Sequence, residues 1–118
     1  MKKKIAILGS TGSIGKSTLS IVTKNKKDFD ITLLSTNKNL LEIKKQCKIF
    51  KPEFLIITNY GAYLKFVDQN TQKIKVFNSY RNLKKIFKNK IDYTINAISG
   101  FDGLEPTLEV IPYTKTLA

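Results

Sequence analysis

Gly9-Ser10-Thr11-Gly12-Ser13-Ile14-Gly15-Lys16-Ser17-Thr18 follows a short apolar run and opens an amphipathic stretch, so its reading decides the fold. Its end, Gly15-Lys16-Ser17, has the form of the end of a P-loop, which needs G-x-x-x-x-G-K-[ST]. Counted back from Gly15, that pattern requires a glycine where Ser10 stands, and Gly9 lies one residue too early. A P-loop enzyme also needs an acid at a strand end to hold Mg²⁺. The apolar runs here end in Leu34-Ser35, Ile57-Thr58 and Ala97-Ile98. The glycines instead run Gly9-x-x-Gly12-x-x-Gly15, a variant of the dinucleotide turn. In that turn Gly9 leaves the strand tightly, Gly12 lets the backbone approach a pyrophosphate, and Gly15 lets the helix pack closely. Thr11, Ser13 and the free N–H groups of the first helical turn would then face the phosphates, where the helix dipole favours anions.

Outward from this turn, short apolar runs alternate with amphipathic stretches. Ile5 to Leu8 is continuously apolar, as in a parallel strand covered on both faces. Ile14, Thr18, Ile21 and Val22 recur at helical spacing, and Ile31 to Leu34 predicts a second strand. Leu40, Ile43, Cys47 and Phe50 predict a second helix with Cys47 on its apolar face, which makes that thiol a buried structural group. Phe54 to Ile57 completes a βαβαβ unit. A helix over 61–68 follows, with Tyr60, Leu64 and Val67 on one side. Then come a short strand at Lys75 to Phe77, a helix through Leu83, Ile86 and Phe87, and a central strand from Tyr93 to Ala97. Leu104, Leu108 and Ile111 mark a last helix, with Pro106 in its first turn. The pattern predicts an α/β fold: a Rossmann-like, doubly wound, mostly parallel sheet with helices on both faces. Lys115 to Ala118 reads as the start of another strand, which suggests a sheet incomplete at its C-terminal side and a chain that is a fragment.

The end of the second strand selects the cofactor. Enzymes that use NAD place Asp or Glu about 20 residues past the turn, where it accepts hydrogen bonds from the ribose 2′-hydroxyl. This chain has Ser35-Thr36-Asn37-Lys38-Asn39 there, and its next acid is Glu42. A carboxylate would repel a 2′-phosphate, whereas hydroxyls, amides and an ammonium would hold one. The expected cofactor is NADPH.

Composition bounds the alternatives. With 118 residues, 42% hydrophobic and 25% charged, the chain is in the globular range and one domain at most, large enough for a single ordinary core. Its 21 Lys plus Arg outnumber 9 Asp plus Glu, but Arg81 is the only arginine and the lysines are scattered through every segment. Nucleic-acid surfaces concentrate charge and favour arginine, so the lysines read as solvated faces and nucleic acid is not an expected partner. No segment approaches transmembrane length, and a membrane is not expected either. Histidine is absent, which removes the commonest general base and metal ligand. Cys47 is alone, which rules out an internal disulfide. Met1-Lys2-Lys3-Lys4 begins like a signal peptide, but the apolar run after it stops at Gly9, short of the roughly 7–15 residues a secretory core needs. The expected location is the cytoplasm.

Three stretches together resemble a known family. Ile7-Leu8-Gly9-Ser10-Thr11-Gly12-Ser13-Ile14-Gly15, Asn37-Lys38-Asn39 and Gly103-Leu104-Glu105-Pro106-Thr107-Leu108 look like the amino-terminal region of 1-deoxy-D-xylulose 5-phosphate reductoisomerases, in order and in spacing. The resemblance runs over essentially the whole chain. It implies an NADPH-dependent enzyme of the non-mevalonate isoprenoid pathway. Such an enzyme rearranges 1-deoxy-D-xylulose 5-phosphate and reduces the product to 2-C-methyl-D-erythritol 4-phosphate. It further implies Mg²⁺ or Mn²⁺ as the metal, a phosphosugar substrate and a homodimer. Carried onto this sequence, Thr11, Gly12, Ser13 and Ile14 line the pyrophosphate turn, while Asn37, Lys38 and Asn39 surround the adenosine ribose and its 2′-phosphate. Asn37 stands where some members have glycine. Ala97-Ile98-Ser99-Gly100 would border the nicotinamide ribose. The family's Asn-Lys-Glu segment, metal carboxylates and substrate-phosphate site come later than Ala118, so residues 1–118 are expected to be an NADPH-binding domain without catalytic or metal-binding residues.

Two other readings predict different behaviour. A reductase with an extended short-chain-dehydrogenase turn would carry a Tyr-x-x-x-Lys pair, and Tyr80-Arg81-Asn82-Leu83-Lys84 matches that spacing. A Lys-rich nucleic-acid module would instead bind DNA or RNA in a salt-dependent manner.

Overall fold

The computed structural model describes residues 2–70, 73–83, 87, 90–98 and 104–118. Its strands are β1 (Lys3–Leu8), β2 (Phe29–Thr36), β3 (Phe54–Ile57), β4 (Lys75–Phe77), β5 (Ile91–Asn96) and β6 (Thr114–Leu117). They form one six-stranded sheet in the order β4-β3-β2-β1-β5-β6, and every neighbouring pair is parallel. Helices α1 (Ser13–Lys24), α2 (Leu40–Phe50) and α3 (Tyr60–Gln69) carry the chain outward from β1 to β4. The chain then returns past β1 to form β5, and α4 (Leu104–Val110) precedes β6. The expected doubly wound fold is present, and the strand order reverses beside β1.

Two cores explain the apolar runs. Ile5, Ile7, Ile31, Leu34, Leu55 and Ile57 pack beneath Leu19 and Val22 of α1, Ile43 and Cys47 of α2, and Ala62 and Phe66 of α3. On the opposite face Ala6, Leu8, Leu33, Phe54, Ile56 and Ile91 pack with Tyr80, Leu83, Phe87 and Val110. A parallel strand covered on both sides has no position left for a polar alternation, which is why the runs read as continuous. Cys47 is buried as expected, and that burial pushes its thiol pKa up to about 12.

Several helix faces differ from expectation. Ile14 and Ile21 are 60% and 61% exposed; Val22 is buried as expected, and α1 buries Gly15 and Leu19 beside it. A Cβ on Gly15 would lie 2.5 Å from Gly9 O and from Ser10 Cα, so a bare glycine face sets the rotation of α1. A count of apolar side chains cannot register that contact. In α3 the side bearing Tyr60, Leu64 and Val67 faces solvent, and Ala62 with Phe66 forms the buried stripe one step around the helix. Leu108 and Ile111 are likewise exposed, whereas Pro106 and Val110 are buried. Ile111 belongs to a 3-10 turn, Ile111–Tyr113, that ends α4. The strand expected at Tyr93 to Ala97 starts earlier, at Ile91, and ends at Asn96. Of the helix expected through Leu83, Ile86 and Phe87, Ile86 lies outside the described residues, and Phe87 N–H donates to Leu83 O at 2.9 Å. No helix among the described residues is long and apolar enough to cross a membrane.

Candidate dinucleotide site

An open parallel sheet binds ligands beyond the carboxyl ends of its strands, where the strand order reverses. Here that point lies between β1 and β5, and the glycine turn leaves β1 there. Gly9 has φ +75°, the left-handed region that favours glycine, and a Cβ on it would also meet Ile98 Cγ1 at 2.8 Å. The chain then enters α1 with Gly12 as N-cap, with no side-chain cap and no acid in the first turn. By contrast, α2 and α3 are capped by Asn39, which accepts from Glu42 N–H, and Asn59, which accepts from Ala62 N–H. The first-turn N–H groups of α1 therefore keep their capacity for an external anion.

Gly12 and Gly15 are needed for different reasons. Gly15 has no room for a side chain against the turn's own backbone. A Cβ on Gly12 would meet only Gly9 O, at 3.7 Å. The protein leaves that space open, and it faces a cleft of about 660 Å³. Gly9, Thr11, Gly12, Thr36, Asn37 and Thr58 line the cleft together with Asn78 to Tyr80, Ala97, Ile98, Glu105 and Pro106.

The cleft floor is held by hydrogen bonds between strand ends. Thr11 Oγ1 lies 2.8 Å from Thr36 Oγ1, and Ser10 N–H donates to Ser35 O at 2.9 Å. Asn37 Oδ1 accepts from Thr58 Oγ1 at 3.0 Å, which joins the ends of β2 and β3. Lys16 is a surface lysine, paired with Glu42 at 3.7 Å. Glu42, the first acid after β2, also accepts from Gln46 Nε2 at 3.3 Å, so its carboxylate is occupied within α1 and α2.

Of the residues expected to bind the cofactor, Thr11, Gly12 and Asn37 line the cleft. Ser13, Ile14, Lys38 and Asn39 are exposed beside it but do not line it, and Asn39 spends its side-chain oxygen on the α2 cap. Ala97 and Ile98 line the cleft, while Ser99 and Gly100 lie outside the described residues. Thr36, part of the segment read as selecting the cofactor, also lines the cleft, whereas sequence reasoning missed Thr58, Asn78 and Ser79. The only available signal was their position immediately after apolar strands.

Tyr80 has a structural role. It is buried, its hydroxyl lies 2.6 Å from Ser35 Oγ, and desolvation pushes its pKa up to about 12. That is unsuitable for the acid of a Tyr-x-x-x-Lys pair, and Lys84 lies outside the described residues. Among the described residues no group of three His, Cys, Asp or Glu side chains is arranged to hold a metal.

A family model described as 1-deoxy-D-xylulose 5-phosphate reductoisomerase matches residues 5–118. A reductoisomerase of that name from Pelagibacter ubique is 51% identical over 98% of this chain, and one from Caldanaerobacter subterraneus is 36% identical over 98% of it. The chain spans 31% and 30% of those relatives' lengths. A solved reductoisomerase from Zymomonas mobilis in complex with NADPH superposes with a TM-score of 0.87 at 26% identity, covering all of this chain and 31% of that one. Another, in complex with NADPH, fosmidomycin and magnesium, also gives a TM-score of 0.87, at 25% identity over 98% of this chain and 29% of its own. The chain belongs to the 1-deoxy-D-xylulose 5-phosphate reductoisomerase family.

Proposed function

We propose that residues 1–118 form the NADPH-binding domain of a 1-deoxy-D-xylulose 5-phosphate reductoisomerase. The observation that carries this reading is the uncapped N-terminus of α1, which meets open space at Gly12 at the sheet's switch point. The pyrophosphate would lie over Thr11 to Ile14. The adenosine ribose and its 2′-phosphate would lie over Asn37 to Asn39. The donor set suits a 2′-phosphate: Thr36, Asn37 and Thr58 line that end of the cleft, exposed Lys38 adjoins it, and Glu42 is turned toward Lys16 and Gln46. Support also comes from the solved relatives that bind NADPH.

In this proposal the full-length protein converts 1-deoxy-D-xylulose 5-phosphate to 2-C-methyl-D-erythritol 4-phosphate. NADPH supplies the hydride, and Mg²⁺ or Mn²⁺ is held by carboxylates outside this chain. The catalytic and C-terminal domains, the phosphosugar site, a homodimer interface and a cytoplasmic location belong to the same reading. Titration of the full-length protein with NADPH and NADH at equal salt tests the cofactor, and tighter NADH binding would overturn the assignment. Formation of 2-C-methyl-D-erythritol 4-phosphate with Mg²⁺ or Mn²⁺ present tests the reaction.

A further inference from the structure

Residues outside the glycine motif hold the turn from both faces of the sheet. On the α2 face Gln46, only 2% exposed, donates from Nε2 to Ser10 O at 2.9 Å. On the opposite face Gly9 N–H donates to Ser35 Oγ at 2.8 Å, and Ser35 Oγ lies 2.6 Å from Tyr80 Oη. Ser35 has no exposed surface, and among the described residues Gly9 N and Tyr80 Oη are the partners of its hydroxyl oxygen. Gly9 N–H donates to Ser35 Oγ, and the 2.6 Å contact between the Ser35 and Tyr80 hydroxyls can form with either as donor, so in both polarities Ser35 Oγ is held between Gly9 and Tyr80. Tyr80 thereby holds the Ser35 hydroxyl oxygen where it accepts from Gly9 N–H.

We propose that Tyr80 is a positioning residue for the phosphate turn, acting through Ser35 on Gly9 while Gln46 holds Ser10 from the other side. Tyr80 opens the 3-10 turn Tyr80–Asn82, in the segment by which the chain returns from the sheet edge at β4 to β5. That connection therefore reaches the turn at the switch point. Gly9 sits at positive φ and must be held there before the ligand arrives, and such preorganisation lowers the ordering cost of binding. Burial keeps the phenol protonated at neutral pH, so the relay is constant under those conditions.

This inference rests on the proposed dinucleotide site, and its test separates the two. Tyr80→Phe in the full-length protein keeps the ring and removes the oxygen. NADPH should bind about five- to tenfold more weakly, because an unclamped turn must be ordered on binding. Adenosine 2′-monophosphate, which has no pyrophosphate, should bind as in the parent protein. Amide hydrogen exchange at Gly9 should quicken, with protection elsewhere in β1 retained. Ser35→Ala should reproduce these changes, and the double variant should add little to either single one, as expected for residues acting in series. Equal weakening of both ligands, unchanged Gly9 exchange, or additive losses in the double variant would each overturn the proposal. Failure of the parent protein to bind NADPH would overturn the proposed function instead, while Gly9 exchange would still judge the relay.

Discussion

Thr11 Oγ1 and Thr36 Oγ1 are 2.8 Å apart, so the glycine turn and the end of β2 form one continuous wall of the cleft. Both hydroxyls belong to cleft-lining residues. A negative charge at Thr11 would face the expected pyrophosphate across a short gap. Thr11→Asp is therefore expected to abolish NADPH binding in calorimetric titration, and unchanged affinity would refute the cradle.

Gly12 and Gly15 should separate ligand binding from folding. Gly15→Ala places a methyl group 2.5 Å from backbone atoms that cannot swing aside, so α1 or the turn must shift. The expected loss is about 1–3 kcal/mol of stability by the usual scale for overpacking, read as a lower urea midpoint. Gly12→Ala meets only Gly9 O at 3.7 Å, and its stability should change little. Its NADPH affinity should nevertheless fall at least about tenfold, because the methyl group occupies the space the backbone offers to a phosphate.

Lys38 and Asn39 are adjacent but should fail differently. Lys38 is exposed beside Asn37, and Lys38→Ala should weaken NADPH while leaving NADH binding nearly unchanged. The loss should shrink as salt is raised, because screening already weakens an exposed ionic contact. Asn39 caps α2 through Glu42 N–H, so Asn39→Ala should cost about 1 kcal/mol of stability in urea unfolding. If Lys38→Ala weakened both cofactors equally, a contact to the 2′-phosphate would be ruled out.

Alkaline pH should destabilise the fold through two buried groups. Cys47 rises from 9.0 to about 12, and Tyr80 rises from 10.0 to about 12. Each keeps its proton in the folded state after the unfolded chain has released it, so stability falls as pH rises. The contribution is complete below the unfolded values and is lost toward pH 12. The urea midpoint should therefore decline from about pH 9 upward, and Cys47→Ala should make that decline shallower even though it lowers stability at neutral pH. Identical pH profiles for the parent and Cys47→Ala would contradict this account of Cys47.

The sequence alone determined the order and type of most elements, because covered parallel strands require continuous apolar runs such as Phe54 to Ile57, whose boundaries match the structure. It also determined the character of the turn, since glycine spacing and the missing acid after β2 are chemical facts of the chain. It did not determine which faces of α1, α3 and α4 are buried. Those depend on close backbone contact at Gly15 and on the competition between two apolar stripes, such as Ala62 and Phe66 against Tyr60, Leu64 and Val67. Only the tertiary structure brought Thr58, Asn78 and Ser79 to the cleft, and only it joined Tyr80 through Ser35 to Gly9. Local periodicity records what each segment buries. Hydrogen bonds between residues 26 and 45 positions apart exist only after the strands have paired.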